Sequence, residues 1–189
     1  SNERTQEMNN EWQNFLAAQG AQIQDGVVSH FGDAAAERLA ARDGTVLCDL
    51  SQFGTLRVSG EEAQTFLQNL LSNDIREAGN TRAQLSSLNS PKGRMLATML
   101  IWRAGDDYLL QLPRTLCEPI RKKLAMYVLR AKVKIADASD EIVSLGLSGA
   151  NAQEVLQGKF DELPKLPLGC IGIEQGNLIR IGDMRFQIN

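Results

Sequence analysis

The sequence predicts an α+β fold made of two related β-α-β units with antiparallel sheets. An eleven-residue segment at 58–68 recurs at 147–157 with six identical residues and no gap, which suggests a duplicated unit. Three strand-like runs joined by short turns follow the first copy, and this pattern is typical of an antiparallel meander. A shorter pair of runs around a Gly-Asp turn follows the second copy, as in a β-hairpin.

The composition is that of a folded domain with little excess charge. Of the 189 residues, 43% are hydrophobic and 23% are charged, a balance that is typical of globular proteins. The formal net charge of −3 disfavours a nucleic-acid partner held by bulk charge, although a local basic patch stays open. Because no apolar run approaches the roughly 20 residues of a membrane helix, no membrane partner is expected.

The cysteine and histidine content limits the chemistry that the chain can perform. Cys48, Cys117 and Cys170 form no CxxC motif, and His30 is the single histidine. An odd, scattered set of cysteines favours reduced thiols and a cytoplasmic location. One histidine excludes a His-rich metal site and disfavours a Ser-His-Asp triad, so no metal ligands are predicted.

Residues 1–44 are predicted to form a helical segment packed on the core. The first helix follows from apolar side chains at helical spacing with a glycine C-cap behind them: Met8, Trp12, Phe15, Leu16 and Gly20. A second helix is expected over residues 34–42, because Asp33 is a favourable N-cap and Gly44 follows its end.

Residues 45–189 are predicted to form one α+β domain with two pseudo-repeated halves, about 45–135 and 136–189. If the repeat reflects a duplication, the sheets of the two halves should meet with a crevice between them. The alternative is that the two strand–helix junctions resemble each other because helix capping repeats. Since the last strand-like run continues to Asn189, we expect the sequence to be a fragment, truncated at its C-terminus.

In the first half, we predict two strands, a helix, a three-stranded meander and a second helix. The strands are residues 46–48 and 55–58, and Phe53 and Gly54 are predicted to lie in the loop between them. Ser59 and Glu62 have the spacing of a capping box at the start of the helix. The meander is assigned to residues 84–88, 95–102 and 108–112, and the second helix to residues 116–130.

In the second half, strands are predicted at residues 133–135 and 142–147, followed by a short helix at 150–157. The two prolines between residues 160 and 167 indicate a linker-like loop. The C-terminal hairpin turns at Gly182-Asp183.

Three runs in the first half carry a resemblance to a known family. They are GTLRVSGEEA at 54–63, FLQ at 66–68 and LSNDI at 71–75, and together they resemble the folate-binding aminomethyltransferase superfamily, which includes the glycine cleavage T-protein. LNSPKGRML at 88–96 is more similar to the YgfZ-type branch, which is linked to iron–sulfur enzyme maturation and tRNA modification. The resemblance covers about residues 40–189.

The resemblance implies an aminomethyltransferase folate-binding domain and a tetrahydrofolate pocket near the junction of the two halves. Phe53 falls where YgfZ-type proteins place an aromatic ring against the folate; the alternative is a phenylalanine in a core strand. The further candidates for cofactor binding are Asn73, Leu85, Lys92 and Arg94. The resemblance also implies iron–sulfur enzymes or their assembly factors as partners of the protein.

Two departures from the family pattern affect the expected chemistry. T-proteins carry an acidic pair, the first of which is the catalytic carboxylate, where this chain has Ala97 and Thr98. Neither side chain can act as an ionised acid or base, so we predict no catalytic residue. The YgfZ-type KGCxxGQE motif does not occur either, and Cys170 is predicted to be a buried strand or loop cysteine.

Three functions follow in order of preference. The first is a tetrahydrofolate-binding protein that supports iron–sulfur enzyme maturation and tRNA modification. The second is a folate-dependent aminomethyl transferase whose acid lies outside this sequence. The third is an RNA-binding accessory module, based on Lys92, Arg94 and the basic side chains of the helix at 116–130, which are also typical of a solvated amphipathic face. The basic side chains of that region are Arg121, Lys122, Lys123, Arg130, Lys132 and Lys134.

Overall fold

The computed structural model describes residues 2–189, with side chains from Asn10 onward. Its helices are α1 (Asn2–Ala18), α2 (Ala34–Asp43), α3 (Ala63–Leu70), α4 (Arg114–Val128) and α5 (Ala152–Gln157), with a 3₁₀ helix at Ile75–Glu77. The first six strands are β1 (Gln22–Gln24), β2 (Val27–His30), β3 (Val46–Asp49), β4 (Phe53–Ser59), β5 (Gln84–Asn89) and β6 (Met95–Ala104). The later strands are β7 (Asp107–Pro113), β8 (Lys134–Asp137), β9 (Leu145–Ser148), β10 (Cys170–Ile173), β11 (Gly176–Gly182) and β12 (Arg185–Ile188).

Ten of these strands form two five-stranded sheets in which neighbouring strands run antiparallel. The first sheet has the order β5-β6-β7-β4-β8, and the second sheet has the order β10-β11-β12-β9-β3. β1 and β2 form a separate hairpin that the sequence did not predict. The predicted α+β class with antiparallel sheets is confirmed.

The two sheets correspond strand for strand. Each contains a strand that leads into a helix and then a three-stranded meander, namely β4-α3-β5-β6-β7 in the first sheet and β9-α5-β10-β11-β12 in the second. The strand before each unit pairs with the other unit: β3 joins β9, and β8 joins β4. The two units therefore exchange one edge strand each, which links the sheets through the backbone.

Glycines make the two strand–helix junctions nearly identical. Gly60 and Gly149 have φ values of +117° and +132°, a region that residues with a side chain rarely adopt. A Cβ atom would lie 2.1 Å from the carbonyl oxygen of Lys132 at the first junction and 2.2 Å from that of Gly44 at the second. Each glycine therefore allows the exchanged edge strand to approach its junction.

The predicted capping box is wrong, although the helix behind it is present. α3 begins at Ala63, and its N-cap residue Glu62 makes no side-chain capping hydrogen bond. Instead, the Glu62 carboxylate accepts a hydrogen bond from the backbone N–H of Lys132 at 2.6 Å. A long-range contact with the segment before β8 thus replaces the local one.

Three apolar clusters place the layers in the order helix, sheet, sheet, helix. The first core lies between the first sheet and helices α3 and α4, and it contains Leu56, Leu67 and Leu110. A shared core joins the facing sides of the two sheets through Trp102, Leu109 and Ile179, among others. The second core lies between the second sheet and α5.

Both helices predicted in the N-terminal segment are present, although no side chain of α2 is buried. α2 has Asp33 as its N-cap, whose Oδ1 accepts hydrogen bonds from two backbone N–H groups at 2.9 and 3.0 Å. Gly20 has a φ of +91° just beyond α1. Trp12 on α1 donates a hydrogen bond from Nε1 to Oδ2 of Asp49 at 3.0 Å, whereas the side chain of Met8 lies outside the described part. Across the described residues, no helix has the length and apolar character to cross a membrane.

Candidate functional site

A cleft of about 490 Å³ opens between the two sheets beside their shared core. This volume is within the range of small-molecule sites. Its walls are mostly apolar, and the described residues that line it include no carboxylate and one charged side chain, Arg185. The lining residues on which the site depends are Phe53, Leu85, Thr98, Gln111, Arg185 and Gln187.

Phe53 reaches the cleft because of its position in β4. Contrary to the prediction, Phe53 does not lie in a loop; it is the first residue of the strand and pairs with Pro113. Side chains alternate along a strand, so Phe53 shares its face with Thr55, while Leu56 points into the first core. The Phe53 side chain is left 37% exposed.

Gly54 also lies in β4 rather than in the predicted loop, and its missing side chain leaves room for two neighbouring side chains. A Cβ atom at Gly54 would lie 2.5 Å from Oγ of Ser139 and 2.6 Å from Sγ of Cys117. These two side chains therefore occupy the space above the glycine. Gly54 is required by packing on the face of β4 that points away from Phe53.

The two positions of the T-protein acidic pair have opposite environments. Ala97 is 4% exposed and belongs to the first core. Thr98 is exposed and lines the cleft, where it pairs across the strands with Ser87. Of the two positions, only that of Thr98 could present a side chain to a ligand.

An amide network forms the buried end of the cleft. Gln187 on the second sheet donates a hydrogen bond from Nε2 to Oε1 of Gln111 on the first sheet at 2.9 Å, and another to Oδ1 of Asn189 at 2.6 Å. The hydroxyl of Ser144 accepts from Nε2 of Gln111 and donates to Oδ1 of Asn189. Oε1 of Gln187 accepts no hydrogen bond from the part of the chain that the structure describes, so it is available to a ligand.

The structure brings together two of the five predicted cofactor-binding residues. Phe53 and Leu85 both line the cleft, and Leu85 is 58% exposed. Asn73 lies outside the lining and donates a hydrogen bond from Nδ2 to the carbonyl oxygen of Leu85 at 2.7 Å, which supports β5. Lys92 and Arg94 lie in the β5–β6 turn beside a separate hollow. Ligand binding by these residues stays a prediction.

Sequence reasoning missed Gln111, Gln187 and Arg185. A usable signal was present for the two glutamines. Gln111 is the single polar residue between Tyr108 and Leu112, and Gln187 alternates with apolar residues in a short strand. A polar residue on the inner face of an otherwise apolar strand is a candidate for recognition. For Arg185, the sequence gives no comparable signal.

The thiols are not poised for chemistry at neutral pH. Burial raises the pKa of Cys170 to about 11, and as predicted this cysteine is buried in β10. Burial also raises the pKa of Cys117 and of Cys48, which lines the cleft. Among the residues described, no group of three His, Cys, Asp or Glu side chains could hold a metal ion.

The basic side chains of α4 are partly neutralised by a neighbouring carboxylate. Glu118 pairs with Arg121 at 2.8 Å and with Lys122 at 3.3 Å. The hydrogen bonds from Arg121 and Lys122 lower the pKa of Glu118 to about 2, so its carboxylate is charged across the physiological range. This arrangement favours a solvated helix face over an RNA-binding surface.

Solved structures define the class of this fold. The chain superposes on the glycine cleavage system aminomethyltransferase T from Bartonella henselae with a TM-score of 0.77 at 20% identity, covering 93% of this chain and 51% of that one. It also superposes on the heterotetrameric sarcosine oxidase from Corynebacterium sp. U-96 with a TM-score of 0.54 at 15% identity, covering 82% and 81%. The fold is therefore the one seen in aminomethyltransferase T.

Sequence comparison then identifies the family. Residues 4–169 match the GCVT N-terminal domain, and the chain belongs to this family. It is 35% identical to an aminomethyltransferase from Thermus thermophilus over 128 residues, which are 66% of this chain and 36% of that protein. It is 30% identical to a tRNA-modifying protein YgfZ from Enterobacter sp. (strain 638) over 125 residues, which are 66% of this chain and 38% of that protein. The predicted family membership is confirmed, and the chain spans little more than a third of these curated relatives.

Proposed function

We propose that the chain binds a tetrahydrofolate-type cofactor in the cleft between the two sheets. We further propose that the protein supports iron–sulfur enzyme maturation and tRNA modification rather than aminomethyl transfer. The family membership and the size of the cleft support the first part. The similarity to proteins named YgfZ supports the role in maturation and tRNA modification, and the chemistry of the cleft lining argues against aminomethyl transfer.

The residues of the cleft fit such a cofactor. A flat pteridine ring gains from contact with the Phe53 ring and with the apolar side chain of Leu85. The pteridine edge carries N–H groups, and Oε1 of Gln187 is a free acceptor at the buried end. When bound, tetrahydrofolate supplies a carrier for one-carbon units. The chain itself orients the ring, excludes water from its buried edge and holds Gln187 in place through Gln111.

The observation that carries the second part is the absence of a carboxylate among the described residues of the cleft. Transfer of an aminomethyl carbon requires a group that moves a proton or stabilises a developing cation. Thr98 and the two glutamines are neutral at physiological pH, and Ala97 points into the first core. These residues can bind and orient a folate without activating an amine.

Two measurements on the intact protein test the proposal. Calorimetry should detect tetrahydrofolate binding, and an assay with an aminomethyl-bearing protein donor should detect no methylenetetrahydrofolate above the uncatalysed rate. Absence of binding would refute the first part, whereas turnover at rates comparable to an aminomethyltransferase would refute the second. In cells lacking the protein, iron–sulfur enzyme activity should fall, and wild-type protein should restore it better than Phe53→Ala.

Aminomethyl transfer stays the second candidate because relatives named aminomethyltransferase match as well as those named YgfZ. In that case, the carboxylate would have to come from a part of the protein outside these residues. The same assay decides between the two. RNA binding is the weakest candidate, and a gel-shift experiment with Lys92→Ala/Arg94→Ala as the comparison would test it.

A further inference from the structure

We infer that Arg185 binds the glutamate carboxylates of the folate and thereby fixes the direction of the ligand in the cleft. The pteridine then lies toward Gln187 and the glutamate toward solvent. This inference rests on the proposed function and adds a subsite that neither the resemblance nor the comparisons assign.

The first argument is the charge of Arg185. It is the one charged side chain among the described residues that line the cleft, and it forms no salt bridge with the rest of the described chain. A guanidinium group presents paired N–H donors whose geometry matches a carboxylate. In an otherwise neutral lining, an unpaired arginine favours an anionic group at that end of the ligand.

The second argument is the change in burial along β12. Gln187 is 5% exposed, whereas Arg185 is exposed. The two side chains are two residues apart and so lie on the same face of the strand, about 7 Å from each other. A neutral pteridine can be buried at the Gln187 end at little cost. A glutamate with two carboxylates must stay hydrated, and of these two positions on β12 it is that of Arg185 that allows this.

The third argument is the continuity of the cleft with a neighbouring groove. Ser148, Ile181 and Arg185 line both the cleft and a groove of about 540 Å³ beside the end of α2. The groove also contains Asp183 and an Arg42–Asp43 pair joined at 2.6 Å. Apart from Arg185, the groove has one positive and two negative side chains, so it gives the tail room without attracting it. The attraction is confined to Arg185.

Binding of two ligands to two proteins tests the inference. The ligands are tetrahydrofolate and the primary amide of tetrahydropteroate, which has no glutamate and no carboxylate, and the proteins are the intact wild type and Arg185→Gln. We expect calorimetry to give about tenfold tighter binding of tetrahydrofolate than of the amide by the wild type. In Arg185→Gln, the two affinities should agree within about twofold, because only the contact with the glutamate is removed. Added salt should weaken tetrahydrofolate binding by the wild type more than by the variant.

The control is Arg121→Gln, which removes the same charge from α4 on the opposite side of the first sheet. It should keep the wild-type preference for tetrahydrofolate. If Arg185→Gln also keeps that preference, Arg185 does not bind the glutamate, although the proposed function survives. If the wild type binds the two ligands equally well, the inference is again wrong. If it binds neither ligand, the proposed function and the inference both fail.

Discussion

The first sheet and the second sheet have the same strand order, yet they bury very different numbers of side chains beneath their helices. Among the described residues, eighteen buried side chains form the first core under α3 and α4, but only five form the second core under α5. Burial of apolar surface is the main force that stabilises a fold. The second sheet must therefore rely more on other interactions.

An arginine stacked on an aromatic ring shows how the two sheets differ. Arg103 lies opposite Tyr108 in the first sheet, and Arg180 lies opposite Phe186 at the corresponding positions of the second sheet. Each guanidinium group stacks on its ring, at 5.2 Å in the first pair and 4.5 Å in the second. The same arginine–aromatic pair thus occurs in both copies of the repeated unit, beside the large core in one and the small core in the other.

Of these two arginines, only that of the second sheet is buried and donates a hydrogen bond from each of its three guanidinium nitrogens. Arg180 is 8% exposed and donates hydrogen bonds to the carbonyl oxygens of Pro164 and Asp183 and to Oε1 of Gln153, at 2.6 to 2.9 Å. These hydrogen bonds therefore hold the loop after α5, the β11–β12 turn and α5 itself around the small second core. The first sheet has a larger core and does not need an arginine in this role.

The largest effect is expected at Ala97, where the first core meets β6. Ala97→Asp would bury a carboxylate without a partner and should lower the free energy of unfolding by about 4 kcal/mol. Urea denaturation at pH 7 measures this loss. The loss should shrink as the pH falls, because burial raises the pKa of the new carboxyl group and its protonated form is less costly to bury.

Thr98→Asp is the matched variant, because it places the same carboxylate on the cleft face of the same strand. Its loss of stability should stay below about 1 kcal/mol, as is typical of exposed positions. Equal losses at the two positions would contradict the assignment of Ala97 to the core and Thr98 to the cleft.

The next effect tests whether the two junctions are equivalent despite their unequal cores. Gly60→Ala and Gly149→Ala should each cost about 3 kcal/mol, because the new Cβ atom would meet a backbone oxygen in a backbone conformation that disfavours side chains. Gly93→Ala is the control: its φ is +75°, but nothing lies within 4 Å of the new Cβ atom. A cost there of about 1 kcal/mol would reflect backbone strain alone. If Gly149→Ala cost no more than this control, the two junctions would not be equivalent.

Local patterns in the sequence were sufficient to predict most of the fold. Helical spacing predicted α3, and alternation with short turns predicted the β5–β6–β7 meander, because both depend on neighbouring residues. The errors involve partners that are distant in the sequence. The capping box failed because the carboxylate of Glu62 binds a residue 70 positions away. Phe53 was placed in a loop because its pairing with Pro113 on β7 cannot be read locally.

The candidate site was predictable to a smaller extent for the same reason. The resemblance led to Phe53 and Leu85, which meet at the cleft. The amide network depends on contact between Gln111 and Gln187, which are 76 positions apart and belong to different sheets. No local pattern specifies which polar residues of two strands will face each other across an interface.

A third prediction separates the two arginine–aromatic pairs. Arg180→Ala should lower the free energy of unfolding by about 2 kcal/mol, because it leaves three acceptors without their donor and removes packing from Phe186. Arg103→Ala should cost less than about 1 kcal/mol, since Arg103 is more exposed and its ion pair with Asp106 is long, at 3.7 Å. Urea denaturation of both variants measures the difference. Equal losses of stability in the two variants would show that the second sheet does not depend on the hydrogen bonds of Arg180.

The smallest effect concerns the face that the two sheets share, where Phe53 should bind ligand rather than stabilise the fold. Phe53→Ala should weaken tetrahydrofolate binding about tenfold, judged from the energy of stacking on aromatic rings. Because Phe53 is 37% exposed, its truncation should cost only about 1 kcal/mol of stability.

Phe66→Ala in the first core is the control. It should cost about 3 kcal/mol of stability and leave the affinity of the folded protein unchanged. Calorimetry and denaturation on the same samples compare the two, and a Phe53 variant that lost stability but kept its affinity would show that this ring belongs to the core.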